Sequence, residues 1–422
     1  MIFLPAEDFK MKRLHRLSYR DAFDLALKEA SVERPTETIF IDKALGRVLA
    51  QDINVVKNLP SFDNAAMDGF AFRHEERGER LHVVAKIFAG EKSEPILKKA
   101  SCYKIMTGAK IPEDANTIAP FEMCTVVDNE YIIVPREIKK GNAFRVKGEE
   151  KQKGTTLFSK LERITPAHIA LMATQGITAI KVFKRLEIAV VSTGSEIKEP
   201  WEEADEDEIY NANAFAIIAQ LQKYGFKTRY AGVIPDSLDK SISFIDGLKD
   251  DDVIITTGGI SMGDADFIQE AFVKNGLEIL FHGVEIKPGR ASMMGKMDKT
   301  FVMAMPGNPL AAMLNVYLLA IPILTKMQGN SAYYHPFVYA NNIETFHLKA
   351  GRTNVVLGNF SQGEFRITRE NRYGSGMLTP LVESNAMLVL GADISLVSKG
   401  ETVKVVLFDN LANETRDGIL NG

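Results

Sequence analysis

The chain has 422 residues, 45% hydrophobic and 25% charged, an ordinary globular balance that excludes a disordered chain or one built mainly of membrane spans. Its 51 Lys and Arg against 55 Asp and Glu leave a net charge of -4. No global positive field therefore gathers nucleic acid or an anionic membrane surface, and any anion site has to be local.

At roughly 100–200 residues per domain the length predicts about two to four domains. Two cysteines, Cys102 and Cys124, are too few for a disulfide framework or a cysteine-built zinc site, and they suit a reducing compartment as buried thiols. The stretch from Met1 to Arg16 carries Glu7, Asp8, Lys10, Lys12 and Arg13 and lacks the apolar core of a secretory signal. The longest apolar run, Leu310 to Leu324, is broken by Asn315 and Pro322 and falls short of the ~20 residues that cross a bilayer. A cytoplasmic protein is expected.

In chain order, Ser18 is placed to cap a helix whose apolar face is Ala22, Phe23, Ala26 and Leu27. From about Asn54 to Gly148 short runs such as His82–Phe88 and Tyr131–Val134, punctuated by Gly and Pro, predict a β-rich segment. Thr165-Pro166 opens a helix that stops at Gly176. In the middle third, strand-like runs at 188–191, 227–233, 253–256 and 301–304 alternate with helical stretches near Ala212–Tyr224, Ser237–Lys249, Phe267–Asn275 and Pro309–Lys326. That alternation predicts βαβ crossovers and a mostly parallel sheet with helices on both faces. After about Gly329, alternating runs at Val355, Phe365, Ala386 and Val403 predict a small β domain. The expected class is multidomain α/β. The acidic run Glu202–Glu208 reads as a solvated loop.

Parallel sheets collect ligands beyond the carboxyl ends of their strands, and those ends carry unusual sequences here. Gly258-Gly259 turns through Ser261 and Gly263 into a helix, so that backbone N–H groups converge with no Cβ between them beside a helix N-terminus, as a phosphate cradle requires. Asp264 and Asp266 follow at once, which makes chemical sense if Mg²⁺ bridges carboxylate and phosphate. Lys287-Pro-Gly-Arg290 sets two cations around a turn, suited to an anion. In Pro306-Gly-Asn-Pro309, Asn308 precedes a helix-opening proline and reads as its cap. Asp68 stands alone in an apolar stretch, as a turn former or a site acid.

A rival motif, G-x-S-x-G at Gly259, Ser261 and Gly263, suggests a serine hydrolase. It needs a later acid and histidine, and only His282, His335 and His347 follow, the last two in the predicted β domain. No P-loop and no G-x-G-x-x-G occur, and the seven histidines form no pair at helical ligand spacing.

Taken together, the strings Pro60–Ala71, Met106–Pro112, Arg145–Gly154, Ser192–Glu196, Tyr210–Asn213, Gly258–Phe267, Ile286–Arg290, Met305–Pro309, Gly351-Arg352 and Gly374–Gly376 resemble the MoeA-type molybdopterin molybdenumtransferases, the family that includes the gephyrin E domain. The resemblance covers about nine-tenths of the chain in family order. It implies a segmented N-terminal helical part over 12–53 and 149–182, a β-rich insertion over 54–148, a molybdopterin-binding α/β domain over 183–328 and a C-terminal β domain over 329–410. It implies Mg²⁺-dependent cleavage of adenylylated molybdopterin with release of AMP, molybdate passing to the dithiolene sulfurs. It also implies a homodimer that shares its active sites, and a partner in the pathway's adenylyltransferase.

By position, the resemblance assigns catalysis to Asp68, Thr107, Glu150, Glu196, Asp236 and Asp266, with Glu196, Asp236 and Asp266 as Mg²⁺ ligands. Gly258, Gly259, Ser261 and Gly263 would hold pterin-side phosphate, with Asn213, Pro306, Gly307, Asn308 and Pro309 shaping the pocket. Lys287, Arg290, Arg352 and Ser375 match molybdate positions, and Asp68 and Arg145 would act across the dimer. Ala65, Phe70, Glu150, Ser195, Arg290 and Ala311 depart from the family's usual residues; at Ala65 and Ala311 a hydroxyl is lost. A gephyrin-type scaffold, a tungstate-using paralogue and the adenylyltransferase itself are the alternatives. Retention of Asp68, Thr107, Glu196, Asp236 and Asp266 argues against a pure scaffold, and the flanking domains against the adenylyltransferase.

Overall fold

A computed structural model describes residues 16–30, 34–91, 96–128, 130–259 and 267–408. Ser261, Gly263, Asp264 and Asp266 lie outside the described residues. The chain divides into two compact units: a larger one formed by the residues up to Glu37, Gly46–Val48 and everything from Phe183, and a smaller one formed by Thr38–Leu45 and Leu49–Val182.

The larger unit opens with strand β1 (Leu17–Ser18) and helix α1 (Tyr19–Glu29), where the Ser18 hydroxyl accepts the Asp21 N–H at 3.1 Å as the sequence predicts. Ala22, Phe23, Ala26 and Leu27 of α1 share one core with Ile188, Val190, Ile255 and Met303. The stretch 12–53, expected to belong together, is thus divided: α1 follows its apolar face into the larger unit, and Ala44, Leu49 and Ile53 form a core with Leu157, Met172 and Val182 in the smaller.

The central sheet joins β2 (Glu187–Thr193), β3 (Lys227–Ile234), β4 (Val253–Thr257), β5 (Leu277–His282), β7 (Met293–Met297) and β8 (Thr300–Met305) in the order β3-β2-β4-β8-β7-β5. Its first four strands are parallel and its last two antiparallel. β2, β4 and β8 are largely apolar or β-branched runs buried on both faces, as crossover helices on both sides demand, whereas the edge strand β3 is fully buried only at Ile234. Those helices are α2 (Ala212–Lys223), α3 (Leu238–Asp246), α4 (Phe267–Lys274) and α5 (Pro309–Met327). Helix α5 is 83% buried, a core helix by packing. It is α-helical to Asn315, π-helical over Val316–Ala320 and α-helical again from Ile321. Pro322 has no N–H for the residue-318 carbonyl and its ring crowds that oxygen, which the widened turn accommodates.

Strand β6 (Val284–Lys287) leaves the central sheet. It runs parallel to β1 on one side and to the start of β10 (Thr353–Ser361) on the other. Beyond it, β10, β11 (Glu364–Ile367), β9 (Val338–Asn342), β13 (Thr402–Leu407) and β12 (Ala386–Leu390) pair in that order, and β12 pairs back onto β10. The five strands form a closed ring around Phe365, Val356, Leu388 and Val405, with no free edge among them.

In the smaller unit, Thr165 caps the helix Pro166–Thr174 and the chain turns at Gly176 with φ +72°. A six-stranded sheet includes Gly69–Phe72, Arg80–Ile87 and Ser101–Ile105. Cys102 is buried, its thiol pushed up to about 12 by that burial.

Candidate active site

Because β2, β4 and β8 are parallel and in register, their carboxyl ends are level: Ser192 lies opposite Thr257, and Thr257 opposite Met305. The loops that follow enclose an open cavity of about 690 Å³. Gly258 and Gly259 line its floor, with φ of +86° and +67°. A Cβ on Gly258 would fall 2.7 Å from Thr193 Oγ1, and one on Gly259 would fall 2.6 Å from Ile268 Cδ1. Both glycines are therefore required by conformation and by space. The Thr193 hydroxyl donates to the Thr257 carbonyl at 3.1 Å, fastening this floor to β2.

Asn213, in the first turn of α2, donates from Nδ2 to Thr257 Oγ1 at 2.8 Å and to the Gly307 carbonyl at 2.7 Å. One amide thus ties the glycine turn to the Pro306–Pro309 loop, and Pro306, Gly307, Asn308 and Pro309 all border the cavity. Asn211 caps α2 from below, its Oδ1 accepting from Ser192 Oγ at 3.0 Å and from the Ala214 N–H at 3.3 Å.

Two carboxylates stand on the rim, Glu196 after β2 and Asp236 after β3. Gly194, at φ +127°, makes room for the first, because a Cβ there would lie 2.6 Å from Glu196 Oε2. Among the described residues neither carboxylate has a hydrogen-bond or ion-pair partner, and no lysine or arginine lines this cavity. Among the described residues no group of three or more His, Cys, Asp or Glu could hold a metal ion. The third expected ligand, Asp266, lies outside them, as do Ser261 and Gly263.

A second cavity of about 360 Å³ adjoins the first. Lys287, Arg290, Arg352 and Ser375 line it. Lys287 ends β6, whose pairing with β10 sets Lys287 opposite Asn354, two residues beyond Arg352. Arg290 lies 3.9 Å from Glu285, a distant pairing, and Arg352 is half-buried. Asn308, expected to cap α5, makes no capping bond. Its Nδ2 donates to Ser375 Oγ at 2.9 Å instead, bridging the two cavities. Ala311 is buried, and its N–H donates to the Ser375 carbonyl at 3.4 Å. A hydroxyl at that position would need a partner of its own.

The remaining expected residues belong to the smaller unit. Asp68 precedes the strand Gly69–Phe72 and Thr107 follows the strand Ser101–Ile105, and these strands pair antiparallel with Gly69 opposite Ile105. The Asp68 carboxylate accepts the Thr107 N–H and hydroxyl, each at 2.7 Å. These bonds, the N–H first, hold Asp68 below the usual carboxylate range. Arg145 donates from Nε to Glu149 at 3.0 Å and stands 3.8 Å from Glu150. Ala65, also buried, keeps main-chain bonds to Ala109 and Gly108. Sequence reasoning did not single out Thr193 or Asn211, each inside a quoted motif, nor Asn315, noted only as a break in an apolar run.

Strand tips that carry a glycine floor, with acids on the rim of one cavity and three cations lining the next, make a two-part polar site. Three family models tile the chain: "MoeA N-terminal region (domain I and II)" over residues 17–176, "Probable molybdopterin binding domain" over 189–326 and "MoeA C-terminal region (domain IV)" over 340–408. A molybdopterin molybdenumtransferase of Haemophilus influenzae is 32% identical over 393 residues, 91% of this chain and 97% of that one. One from Bacillus subtilis is 30% identical over 385 residues, 88% and 90% of the two chains. The crystal structure of the molybdopterin biosynthesis MoeA protein from Pyrococcus horikoshii OT3 matches with a TM-score of 0.81 and 28% identity, over 93% of this chain and 100% of that one. The chain belongs to the MoeA family of molybdopterin molybdenumtransferases.

Proposed function

We propose that this transferase of molybdenum cofactor biosynthesis takes adenylylated molybdopterin in the glycine-floored cavity and molybdate in the cationic one, and releases AMP as molybdenum reaches the dithiolene. The observation that carries the reading is the Asn308–Ser375 bond of 2.9 Å, which joins an acid-rimmed cavity to a cation-lined one. Transfer to sulfur needs no redox partner, because thiolates replace oxide ligands on a metal that keeps its oxidation state.

Two unpaired carboxylates facing a pyrophosphate would repel it unless a cation stood between them. Mg²⁺ is commonly held by one or two carboxylates together with substrate phosphates, so Glu196 and Asp236 suit it, with Asp266 as the further ligand that the family resemblance implies. When bound, the ion supplies positive charge beside the phosphoanhydride. The chain's own groups do the rest. The N–H of Gly259 orients phosphate, Gly258, whose own N–H donates to the Met305 carbonyl at 3.1 Å, anchors the turn to β8, Asn213 keeps that turn against the Gly307 loop, and Lys287, Arg290 and Arg352 neutralise the molybdate dianion. The smaller unit's Asp68 and Arg145 would serve the site of the other protomer in a cytoplasmic homodimer, with the adenylylated pterin delivered by the adenylyltransferase that makes it.

The test incubates purified protein with adenylylated molybdopterin, Mg²⁺ and molybdate and follows AMP. Molybdate-stimulated AMP release is expected. Substrate binding without such release would assign the chain to the scaffold role instead.

A further inference from the structure

Helix α5 runs through the core of the larger unit, and from Leu310 to Leu324 only Asn315 and Tyr317 carry a polar side-chain group. Tyr317 reaches the Leu407 carbonyl at 2.7 Å. Asn315 has no exposed surface, and among the described residues its Oδ1 has no hydrogen-bond partner. A buried amide with one end unpaired is a poor choice for packing alone, since an apolar side chain of similar size would carry no such cost.

The other end of the amide is fully used. Asn315 Nδ2 donates to the Gly289 carbonyl at 2.7 Å and to Ser292 Oγ at 2.7 Å, and the Ser292 hydroxyl donates in turn to Gly289 at 3.2 Å. Gly289 lies between Lys287 and Arg290, with φ +105°. A Cβ on it would fall 2.4 Å from Asn315 Nδ2, so the amide lies directly against the main chain of the loop. The helix widens into its π turn at the next residue, Val316, a form that recurs at functional sites.

Lys287, Arg290 and Arg352 repel one another until an anion arrives, and an untethered loop would relieve that repulsion by opening. We infer that Asn315 is a positioning residue: by gripping the Gly289 carbonyl it holds the Lys287–Arg290 loop in its anion-binding form before molybdate enters. The inference rests on the reading of this cavity as the molybdate site. It assigns the affinity for the oxyanion partly to a residue that does not line the cavity, through preorganisation of those that do.

The experiment titrates molybdate into the full-length protein by calorimetry and measures steady-state AMP release for wild type, Asn315→Leu and Asn315→Thr. Asn315→Leu is expected to raise both the Kd and the KM for molybdate about tenfold or more, as losses of supporting hydrogen bonds at ligand sites do. Its kcat at saturating molybdate and its KM for adenylylated molybdopterin should stay within about twofold of wild type. Asn315→Thr, which keeps one donor, should fall between the two. Should Asn315→Leu fold poorly, Gly289→Ala displaces the same contact from the loop side and should give the same molybdate-specific loss. Unchanged molybdate affinity in Asn315→Leu and Gly289→Ala, with binding abolished by Arg352→Ala, would overturn the role of Asn315 and leave the site standing. Wild-type protein that binds no molybdate would remove the site, and this inference with it.

Discussion

One cavity presents main chain at Gly258 and Gly259, and the other presents formal charge at Lys287, Arg290 and Arg352. The first cavity has acids on its rim and no lysine or arginine lining it among the described residues; the second is lined by three cations. Backbone N–H groups cannot be neutralised by the nearby carboxylates and do not repel a Mg²⁺ ion, so they suit a phosphate that arrives with a metal. Cations at the same place would pair with Glu196 and Asp236. A bare dianion without a metal needs the opposite arrangement. Placed side by side and linked by one amide, the two cavities would keep the proposed reactants distinct until they are within reach of each other.

The contrast is open to direct attack. Replacing both Glu196 and Asp236 by alanine should have the largest effect, a fall in AMP formation of about a hundredfold or more, while molybdate binding by calorimetry stays as in wild type. Loss of molybdate affinity in that variant would show that the cavities do not divide the work as described. Arg352→Ala comes next: its KM for molybdate should rise roughly tenfold to a hundredfold, the worth of one charge-assisted hydrogen bond, with binding of the adenylylated pterin unaffected. Asn308→Ala removes the bridge but neither cavity. Each ligand alone should bind within about twofold of wild type, whereas turnover with both present should drop roughly fivefold, as a modest coupling between sites predicts.

The smallest change is expected in the other unit. Asp68 is held below the usual carboxylate range by Thr107, so its contribution to stability is complete above that range and is lost as pH falls through its lowered value. Thr107→Val removes the hydroxyl but not the N–H. The Asp68 titration, followed by carboxyl-carbon NMR, should therefore move part of the way up toward the ordinary value, and part of that acid-sensitive stability should vanish.

Much of the larger unit was legible in the chain. The runs at 188, 253 and 301 are β-branched or apolar and became β2, β4 and β8, and the more polar run at 227, bounded by Gly225 and Pro235, became the edge strand β3. The antiparallel edge was not. Met293-Met-Gly-Lys-Met297 lacks β-branched residues, and its strand form depends on Gly295, where a Cβ would lie 2.6 Å from the Glu278 carbonyl. The glycine floor could be anticipated because its φ values and its crowding against Thr193 leave no alternative residue. The partner of Asn308 could not, since capping is local chemistry visible in sequence and a bond to residue 375 depends on the tertiary fold. Asn315 was visible only as an interruption, for the same reason.

Strand β6 follows β5 of the central sheet across Gly283, with the Val284 N–H donating to the Arg290 carbonyl, and ends hydrogen-bonded to β10, at the entrance to the closed ring. Lys287 therefore owes its place to both halves of this seam. Neither half could be exchanged for a homologous part, or circularly permuted away, without unpicking the backbone that aims the lysine. Recombination between relatives should tolerate crossovers elsewhere far better than any between Val284 and Thr353, and a library of chimaeras sorted for folded, molybdate-responsive protein would carry that scar as a depleted interval.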